Sequence, residues 1–310
     1  MEKIVTITLN PSIDKSTSVK GIVPEKKLRC SNPKFEPGGG GVNVSRALKK
    51  LGGNSTAIYF AGGYSGKFFT SLLQQEGIDS LVVPIAEQTR ENMIVVDETN
   101  NLQYRFGMPG PTVKPKELEH FFSLLNEMKD VEYVIASGSL PDGVDDDFFS
   151  KLADICKRTN AKLIVDTSGE PLRKAINEGV YMIKPNLGEL SMLNGVEELN
   201  DDDVVASARS IINKGGAEVI VVSMGASGAC LVTKDEIFNC PSPAVRKKST
   251  VGAGDTMVAG MVLAMVNKYT WQDVLRYGVA AGTATTMNSG TELCKKNDVD
   301  RLFSYLKKYG

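Results

Sequence analysis

The chain has 310 residues, with 36 basic and 37 acidic side chains and a formal net charge of −1. This near balance argues against a nucleic-acid groove or a basic membrane-binding patch, both of which concentrate positive charge. No apolar run approaches the length of a membrane span and nothing resembles a signal peptide, so we expect a cytoplasmic protein with small-molecule partners.

The first predicted strand covers residues 4–9 and ends at Asn10-Pro11. Asp14 follows on a predicted loop, as is typical of the carboxyl end of a strand in an open α/β sheet, where ligands bind. Residues 15–36 lose helical periodicity and predict irregular strands at 16–19 and 27–30. The glycines of residues 38–41 then open a predicted helix that ends at Gly52-Gly53.

Strands and helices alternate from residue 57 onward. Short runs rich in β-branched residues predict strands buried on both faces, at residues 57–60, 81–83, 133–136, 163–166, 181–183 and 219–222. Helices are predicted at residues 66–75, 147–157 and 204–213, and in the C-terminal part after Asp255, at 271–287 and at 299–307. This order predicts a doubly wound α/β sheet in a single domain covering residues 1–310.

A hairpin interrupts the alternation. Residues 90–97 and 102–106 form two predicted strands around a polar turn. Together with the irregular strands of 15–36 they predict a small separate sheet over the strand ends. A lid formed by about residues 15–36 and 90–108 is the function we expect of that sheet.

Two glycine clusters resemble nucleotide-binding motifs but fail the spacing rules. Residues 38–43 lack the third glycine of a dinucleotide fingerprint, because Asn43 stands in its place. Residues 62–67 resemble a P-loop, but the first glycine is misplaced and Phe68 replaces the serine or threonine that binds magnesium. A Rossmann dehydrogenase is therefore disfavoured.

A third glycine turn, residues 250–255, runs into a small, apolar helix. Free backbone amides and the positive end of the helix dipole suit a phosphate there, whereas Asp255 makes sense as a base aimed at a nucleophile. A capping aspartate is the open alternative.

The single histidine, His120, lies in a polar helical stretch, so we expect carboxylates or lysines to carry out any acid–base chemistry. The five cysteines are scattered along the chain, which is typical of reduced thiols.

Other polar groups also follow predicted strands. Asn186 and Glu189 share a helix face and suit Mg²⁺ bound through water, although helix capping explains the same spacing. The turn after the strand at 219–222 either wraps a nucleotide or closes a hairpin. Arg90 and Arg105 frame the predicted hairpin at 90–106 and either clamp a phosphate or are simply solvated.

Residues 37–43, 138–141, 184–189 and 250–255 together resemble the signatures of the PfkB (ribokinase-like) family of sugar kinases, over essentially the whole chain. Residues 27–30, 35–41, 104–110 and 278–282 are most similar to the branch that phosphorylates fructose 6-phosphate. The resemblance implies a three-layer α/β/α fold with a mostly parallel central sheet and a small β-sheet lid. It also implies magnesium-dependent transfer of the ATP γ-phosphoryl group to the C1 hydroxyl of fructose 6-phosphate, giving fructose 1,6-bisphosphate.

The resemblance further implies a role for each matching position. Asp255 would be the general base, and the amides of Gly252, Ala253 and Gly254 would form the anion hole. The sugar phosphate would be bound by Asp14, Lys27, Gly38, Gly39, Asn43, Arg90, Arg105 and Ser139. ATP would be bound by Lys184, Asn186, Ser223, Gly225, Gly228, Thr250 and Asn288, and Mg²⁺ by Asn186 and Glu189 through water. K⁺ or another monovalent cation would be held by Ser249, Val251, Asn288 and Gly290, with Glu292 departing from the basic residue expected there.

The nearest alternatives phosphorylate fructose 1-phosphate or tagatose 6-phosphate. Such relatives usually carry a lysine where this chain has Gly40, which favours fructose 6-phosphate. A catalytically silent sugar-phosphate or nucleotide sensor is an alternative of a different class, and the intact Asp255, Asn186 and Glu189 argue against it. The resemblance also implies a homodimer closed through the lid, and inhibition by a second MgATP that promotes a tetramer.

Overall fold

The computed structural model of the chain describes residues 4–200 and 203–310. The strands are β1 (Ile4–Thr8), β2 (Ser12–Val19), β3 (Lys34–Gly38), β4 (Thr56–Gly62), β5 (Asp79–Ile85), β6 (Arg90–Asp97), β7 (Leu102–Phe106), β8 (Tyr133–Ser137), β9 (Lys162–Asp166), β10 (Val180–Ile183), β11 (Ala217–Ser223), β12 (Ala229–Thr233) and β13 (Ile237–Cys240). The helices are α1 (Gly40–Leu51), α2 (Gly63–Gln75), α3 (Pro115–Glu127), α4 (Phe148–Thr159), α5 (Gly169–Glu178), α6 (Leu187–Asn194), α7 (Val204–Asn213), α8 (Ala253–Val266), α9 (Trp271–Thr286) and α10 (Lys296–Tyr309).

The main sheet has nine strands in the order β13-β12-β11-β10-β9-β8-β1-β4-β5. The strands from β11 to β5 run parallel to one another, whereas β12 and β13 add an antiparallel edge. The chain leaves β1 in one direction, toward β4 and β5, and later builds β8 to β11 in the other. Ligands bind beside such a switch point, at the carboxyl ends of the strands.

Helices cover both faces of this sheet. One face packs against α3, α4, α5 and α7, and the other packs against α1, α8, α9 and α10. All five residues of β1 are buried, including Thr6 and Thr8, as expected of a central strand covered on both faces. The three-layer α/β/α architecture expected from the sequence is confirmed.

Helices α8 and α9 approach each other closely because glycine lies at their contact. A Cβ built on Gly278 would lie 2.5 Å from Met261 Cγ, and one on Gly260 would lie 2.8 Å from Ala281 Cβ. Helix α8 is apolar on all sides because it is buried in this layer. Within the described ranges, no helix combines the length and the apolar character needed to cross a bilayer.

A second, smaller sheet has four strands in the order β3-β2-β6-β7. Strand β2 pairs parallel with β6, and the other two pairings are antiparallel. The hairpin predicted at 90–97 and 102–106 is confirmed with the same bounds. We call these four strands the small sheet.

Two sequence predictions for this region were wrong. Asp14 lies within β2 and not on a loop, because pairing resumes at Ser12, directly after the Asn10-Pro11 break. Residues 27–30 form no strand and contribute only the bridge from Cys30 to Val19, because their side chains are largely exposed. The strand is Lys34–Gly38 instead, and its Pro37 is tolerated because β3 is an edge strand.

Candidate active site

The turn before α8 forms a cluster of free backbone amides. Gly252 precedes the helix in the left-handed conformation, with φ of 71°, which glycine adopts without strain. The Ala253 amide donates to the Thr250 carbonyl at 3.3 Å, and the Thr256 amide donates to the Gly252 carbonyl at 2.9 Å. Within the described part of the chain, the amides of Gly252, Gly254 and Asp255 have no acceptor and remain available to an anion.

The Asp255 carboxylate, in the first turn of α8, is bound by side chains from two other elements. Asn43 Nδ2 donates to Asp255 Oδ2 at 3.0 Å, and Ser137 Oγ donates to Asp255 Oδ1 at 3.2 Å. Burial and, to a lesser extent, the charge of Asp166 raise the pKa of the carboxyl to about 6, even though Asn43, Lys184 and Ser137 act in the opposite direction. These contacts favour the base over the capping alternative, because both oxygens are occupied by groups from other elements.

The glycine run before α1 brings Asn43 to this position. A Cβ built on Gly40 would lie 2.2 Å from Ser137 Oγ, and one built on Gly41 would lie 2.3 Å from the Ile7 carbonyl oxygen. The start of α1 can therefore approach the ends of β1 and β8 only without side chains at these positions. The run serves close packing and is not a dinucleotide fingerprint, in agreement with its failed spacing.

A buried ion pair lies beside the free amides. Lys184 Nζ lies 3.2 Å from Asp166 Oδ1, and it also lies 3.5 Å from the point where a Cβ on Gly254 would stand. Burial alone would lower the pKa of Lys184, but the charges of Asp166, Glu189 and Asp255 raise it overall, so the ammonium stays charged. Sequence reasoning missed Asp166; the available signal was an acidic residue closing a buried strand at the ligand-binding edge.

Asn186 and Glu189 form a reciprocal helix cap at the start of α6. Asn186 Oδ1 accepts from the Glu189 amide at 2.9 Å, and Glu189 Oε2 accepts from the Asn186 amide at 2.8 Å. The capping alternative is therefore correct, and Glu189 Oε1 is left without a partner in the described part of the chain. No cluster of three or more His, Cys, Asp or Glu side chains capable of binding a metal occurs in residues 4–200 and 203–310. A metal held through water by one oxygen from each residue remains compatible with this geometry.

A cavity of about 520 Å³ adjoins the free amides. Its walls come from the β11–β12 turn, the segment before α8, and α9. Ser223, Gly225, Gly228 and Thr250 all line it, so the glycine turn closes a hairpin and also borders the cavity. The predicted nucleotide contact Asn288 is not among the lining residues; its Nδ2 donates to the Leu293 carbonyl at 3.1 Å. A larger cavity of about 930 Å³ opens at the other end of the sheet, beside Lys162 and Trp271.

The small sheet contributes a second group of polar side chains. Asp14 Oδ1 accepts from Ser12 Oγ at 2.9 Å and from Asn92 Nδ2 at 3.0 Å. Burial raises the pKa of Asp14, although these two bonds and the charges of Arg90 and Arg46 partly offset the increase. A Cβ on Gly38 would lie 2.4 Å from Asp14 Oδ2, so Gly38 lies directly against this carboxylate.

Asn10 joins the small sheet to the main sheet. Its carbonyl accepts from Arg90 Nη2 at 3.0 Å, and its Nδ2 donates to Ser139 Oγ at 3.1 Å. Asn10 Oδ1 is buried and has no hydrogen-bond partner among the described residues. Sequence reasoning treated Asn10 only as the end of a strand and missed this connection between two predicted phosphate contacts.

Two predicted substrate contacts form no hydrogen bond to the other site residues in the described part of the chain. Lys27 is exposed, and Arg105 is exposed with its Nη2 3.3 Å from Gln103 Oε1 of the same strand. By register, Arg105 pairs with Ile94, two residues after Asn92, so it shares the sheet face that carries Asn92 and Asp14. Arg105 therefore lies on the same face of the small sheet as Asn92 and Asp14, and in the described part of the chain its side chain bonds only to Gln103.

The residues predicted to hold a monovalent cation lie together. Ser249 Oγ donates to the Gly290 carbonyl at 2.7 Å and accepts from the Val251 amide at 3.2 Å, while Asn288 is buried nearby in the same loop. Neutral carbonyl and hydroxyl oxygens suit a hard cation. Glu292 lies at the surface, 3.7 Å from Lys295 Nζ.

Comparison with known proteins identifies the family of the chain. A sequence model described as "pfkB family carbohydrate kinase" matches residues 1–298. The ATP-dependent 6-phosphofructokinase isozyme 2 of Escherichia coli K12 is 41% identical over 309 residues, covering 99% of this chain and 100% of that protein. The 1-phosphofructokinase of Borreliella burgdorferi is 33% identical, covering 98% and 97%.

Solved structures of the E. coli relative superpose closely. The crystal structure of its phosphofructokinase-2 in complex with potassium has a TM-score of 0.95 at 41% identity, covering 99% of this chain and 100% of that one. The complex with fructose-6-phosphate has a TM-score of 0.93 at 39% identity, with the same coverage. A tetrameric inhibited form of the same relative has a TM-score of 0.93 at 40% identity, again covering 99% and 100%.

Proposed function

Because this chain belongs to the pfkB family of carbohydrate kinases, we propose that it transfers the ATP γ-phosphoryl group to the C1 hydroxyl of fructose 6-phosphate. The observation that carries the proposal is the position of Asp255, whose carboxylate lies beside three free amides and the Lys184 ammonium. A base and an anion-binding group in one place suit the attack of a hydroxyl on a phosphoryl group.

In the reaction, the C1 hydroxyl oxygen forms a bond to the γ-phosphorus while the bond between that phosphorus and the ADP oxygen breaks. Asp255 accepts the hydroxyl proton, and ADP leaves with the bonding electrons. The amides of Gly252, Gly254 and Asp255 hold the negative charge of the transferring group, with Lys184 beside them. Such positioning and charge stabilisation are most of what a protein supplies to phosphoryl transfer.

ATP fits the cavity of about 520 Å³ lined by Ser223, Gly225, Gly228 and Thr250. Asn186 and Glu189 would hold Mg²⁺ through water, which would screen the charge of the phosphates. Ser249, Val251, Asn288 and Gly290 would hold K⁺ beneath the free amides, as a positive charge close to the helix start. The free thiols of the described cysteines suit a cytoplasmic protein.

For the acceptor, Asp14 and Asn43 are the proposed contacts to sugar hydroxyls, and Arg90 and Ser139 are the proposed contacts to the 6-phosphate. Lys27 and Arg105 complete the site only from a second copy, through a dimer formed by the small sheets. Exposed apolar side chains support this interface: Leu102 is 55% exposed, Phe106 48% and Met93 38%. Inhibition by a second MgATP that promotes a tetramer is also proposed, and the tetrameric inhibited form of the E. coli relative supports it.

Fructose 6-phosphate is favoured over the two alternative acceptors by the higher identity to the 6-phosphofructokinase relative and by Gly40. A lysine at position 40 would bring a Cβ within 2.2 Å of Ser137 Oγ, so the backbone here is adapted to glycine. Fructose 1-phosphate and tagatose 6-phosphate remain the acceptors to compare.

A coupled ADP-release assay across a panel of hexose phosphates tests this proposal. The expected result is the highest kcat/KM with fructose 6-phosphate, and ADP release that depends on both the sugar phosphate and Mg²⁺. A higher kcat/KM with fructose 1-phosphate or tagatose 6-phosphate would reassign the substrate. Nucleotide binding without ADP release from any sugar phosphate would instead indicate a sensor.

A further inference from the structure

Arg46 is a buried cation behind the proposed site. It lies on α1, one turn after Asn43, and its side chain is 3% exposed. Its Nε and Nη2 bind the Glu76 carboxylate, with a shortest distance of 2.7 Å, and Nη2 lies 3.5 Å from Glu36 Oε1. Its Nη1 donates to the Pro37 carbonyl at 2.8 Å. The guanidinium is therefore fixed from three sides.

The same Nη1 also donates to Asn43 Oδ1 at 3.4 Å, while Asn43 Nδ2 donates to Asp255 Oδ2 at 3.0 Å. A guanidinium can only donate hydrogen bonds, and an ionised carboxylate can only accept them. The neighbours of the Asn43 amide are therefore compatible with only one orientation of it: Oδ1 must face Arg46, and Nδ2 must face Asp255. A rotation of the amide by 180° would place a donor against a donor and an acceptor against an acceptor.

We propose that Arg46 is a positioning residue that locks the Asn43 amide in the orientation that donates to Asp255. The inference rests on the proposed role of Asp255 as the base. Locked in this way, Asn43 stabilises the ionised carboxylate and cannot accept a hydrogen bond from the protonated acid. Arg46 thus keeps the base ready to accept a proton without touching it.

Removal of Arg46 should release the amide. Asn43 can then rotate and accept from protonated Asp255, which favours the protonated form and raises the pKa of the carboxyl. The other charges that face Asp255 are Asp166 and Lys184, on β9 and directly after β10, and neither contacts Arg46. Arg46 itself also faces Asp14, whose pKa it lowers, and Glu36, both of the small sheet. The readout is therefore kcat at saturating substrate, where weaker sugar binding through Asp14 does not contribute.

The test compares Arg46→Met, the double variant Arg46→Met with Glu76→Gln, and Glu76→Gln alone. The double variant leaves no unpaired Glu76 carboxylate, so it is less prone to misfold than Arg46→Met alone. In both Arg46 variants, the acid limb of the kcat profile should move to higher pH by about one unit, the scale of one hydrogen bond to a charged group. Glu76→Gln, which leaves the Arg46–Asn43 contact in place, should lower stability but leave the profile unmoved. A wild-type profile in both Arg46 variants, together with an unmoved titration of Asp255, would overturn the inference.

A second readout does not depend on turnover. The Asp255 carboxyl carbon is identified in ¹³C NMR spectra by its absence from Asp255→Asn, and its titration is followed in the wild type and in both Arg46 variants. A midpoint shifted to higher pH supports the positioning role even if kcat does not follow, in which case the base assignment fails instead. A midpoint unmoved in folded Arg46 variants overturns the positioning role.

Discussion

Asn43 and Asp255 are 212 positions apart in the sequence, yet the amide of one donates a 3.0 Å hydrogen bond to the carboxylate of the other. The bond joins the first turn of α1 to the first turn of α8, so two helix N-termini point at the same place. Asn186 caps a third helix beside them. Three positive helix-dipole ends at one edge of the sheet favour highly negatively charged ligands, such as a nucleoside triphosphate next to a sugar phosphate.

Asp255→Asn should retain nucleotide binding and lose kcat by about 10²- to 10⁴-fold, the range typical of a general base. Asparagine preserves the volume: its Oδ1 can still accept from Asn43, and its amide group can donate to the Ser137 hydroxyl, which can also accept, so the loss is specific to proton transfer. ADP release measures kcat, and isothermal titration with ATP measures binding. Near-normal turnover would remove Asp255 from the role of base.

The same substitution should stabilise the folded protein at neutral pH. The pKa of Asp255 is raised from 3.8 to about 6 by folding, so the ionised carboxylate carries a free-energy cost above pH 6 that disappears as pH falls below about 4. Asparagine removes that cost, and the expected gain in unfolding free energy at pH 8 is about 2 to 3 kcal/mol. Urea unfolding at pH 8 and at pH 4 measures it; equal gains at both values would contradict the prediction.

Asp166→Asn should shift the acid limb of kcat to lower pH. In the wild type kcat should fall below about pH 6, because only ionised Asp255 accepts a proton. The negative charge of Asp166 contributes to that raised pKa, and Asp166 also pairs with the Lys184 ammonium. Its removal therefore lowers the pKa of Asp255 in two ways: a repelling charge is lost, and Lys184 is free to interact with Asp255. A pH–kcat profile measures the shift, with the exposed Asp154→Asn as a matched control. A shift of the acid limb to higher pH would contradict the expected effect of Asp166 and Lys184 on the pKa of Asp255.

Gly40→Ala should destabilise the protein and reduce kcat together. The added Cβ would lie 2.2 Å from Ser137 Oγ and 2.7 Å from the Ser137 carbonyl carbon, so both backbone and hydroxyl must move. Overpacking of this kind costs about 1 to 3 kcal/mol, and the displaced hydroxyl no longer donates to Asp255. Gly107→Ala is the control, because its Cβ would have no neighbour within 4 Å and its φ is not positive. Wild-type stability and turnover in Gly40→Ala would contradict this account.

The double variant Leu102→Ser with Phe106→Ser should weaken the proposed dimer and raise KM for the sugar phosphate. Both side chains are exposed and, with Met93, lie on one face of the small sheet. Sedimentation measures the assembly and initial rates measure KM. Tyr305→Ser removes a comparably exposed side chain, 51% accessible, from α10 and should change neither. A monomer with unchanged KM would exclude sharing of Lys27 and Arg105 between copies.

Local patterns were enough to predict much of this molecule. The hairpin at 90–106 and helix α7 have the predicted bounds, because turn residues and apolar periodicity act over a few positions. The glycine turn before Asp255 was likewise visible, since a helix start and its glycines are adjacent in the sequence. The order of these elements predicted the doubly wound α/β sheet, and the family resemblance implied its three-layer arrangement.

What the sequence could not provide depends on distant contacts. Asp166 becomes a site residue only through Lys184, and Asn10 only through Ser139 and Arg90. Strand β3 contains Pro37 and Gly38 and is typical of a loop, and only its pairing with β2 makes it a strand. Asn186 and Glu189 carry the same spacing for a cap and for a metal, and the structure shows that the cap is present.

The small sheet is assembled from two separate stretches of chain, 12–38 and 90–106. The polypeptide consequently passes between the two sheets four times, after β1, before α1, after β5 and before α3. It cannot be excised or transplanted between relatives as one continuous cassette, because either stretch alone leaves a two-stranded remnant with open edges. Grafting acceptor specificity onto this scaffold will therefore require exchanging both stretches together, along with the glycine run into which the first one leads.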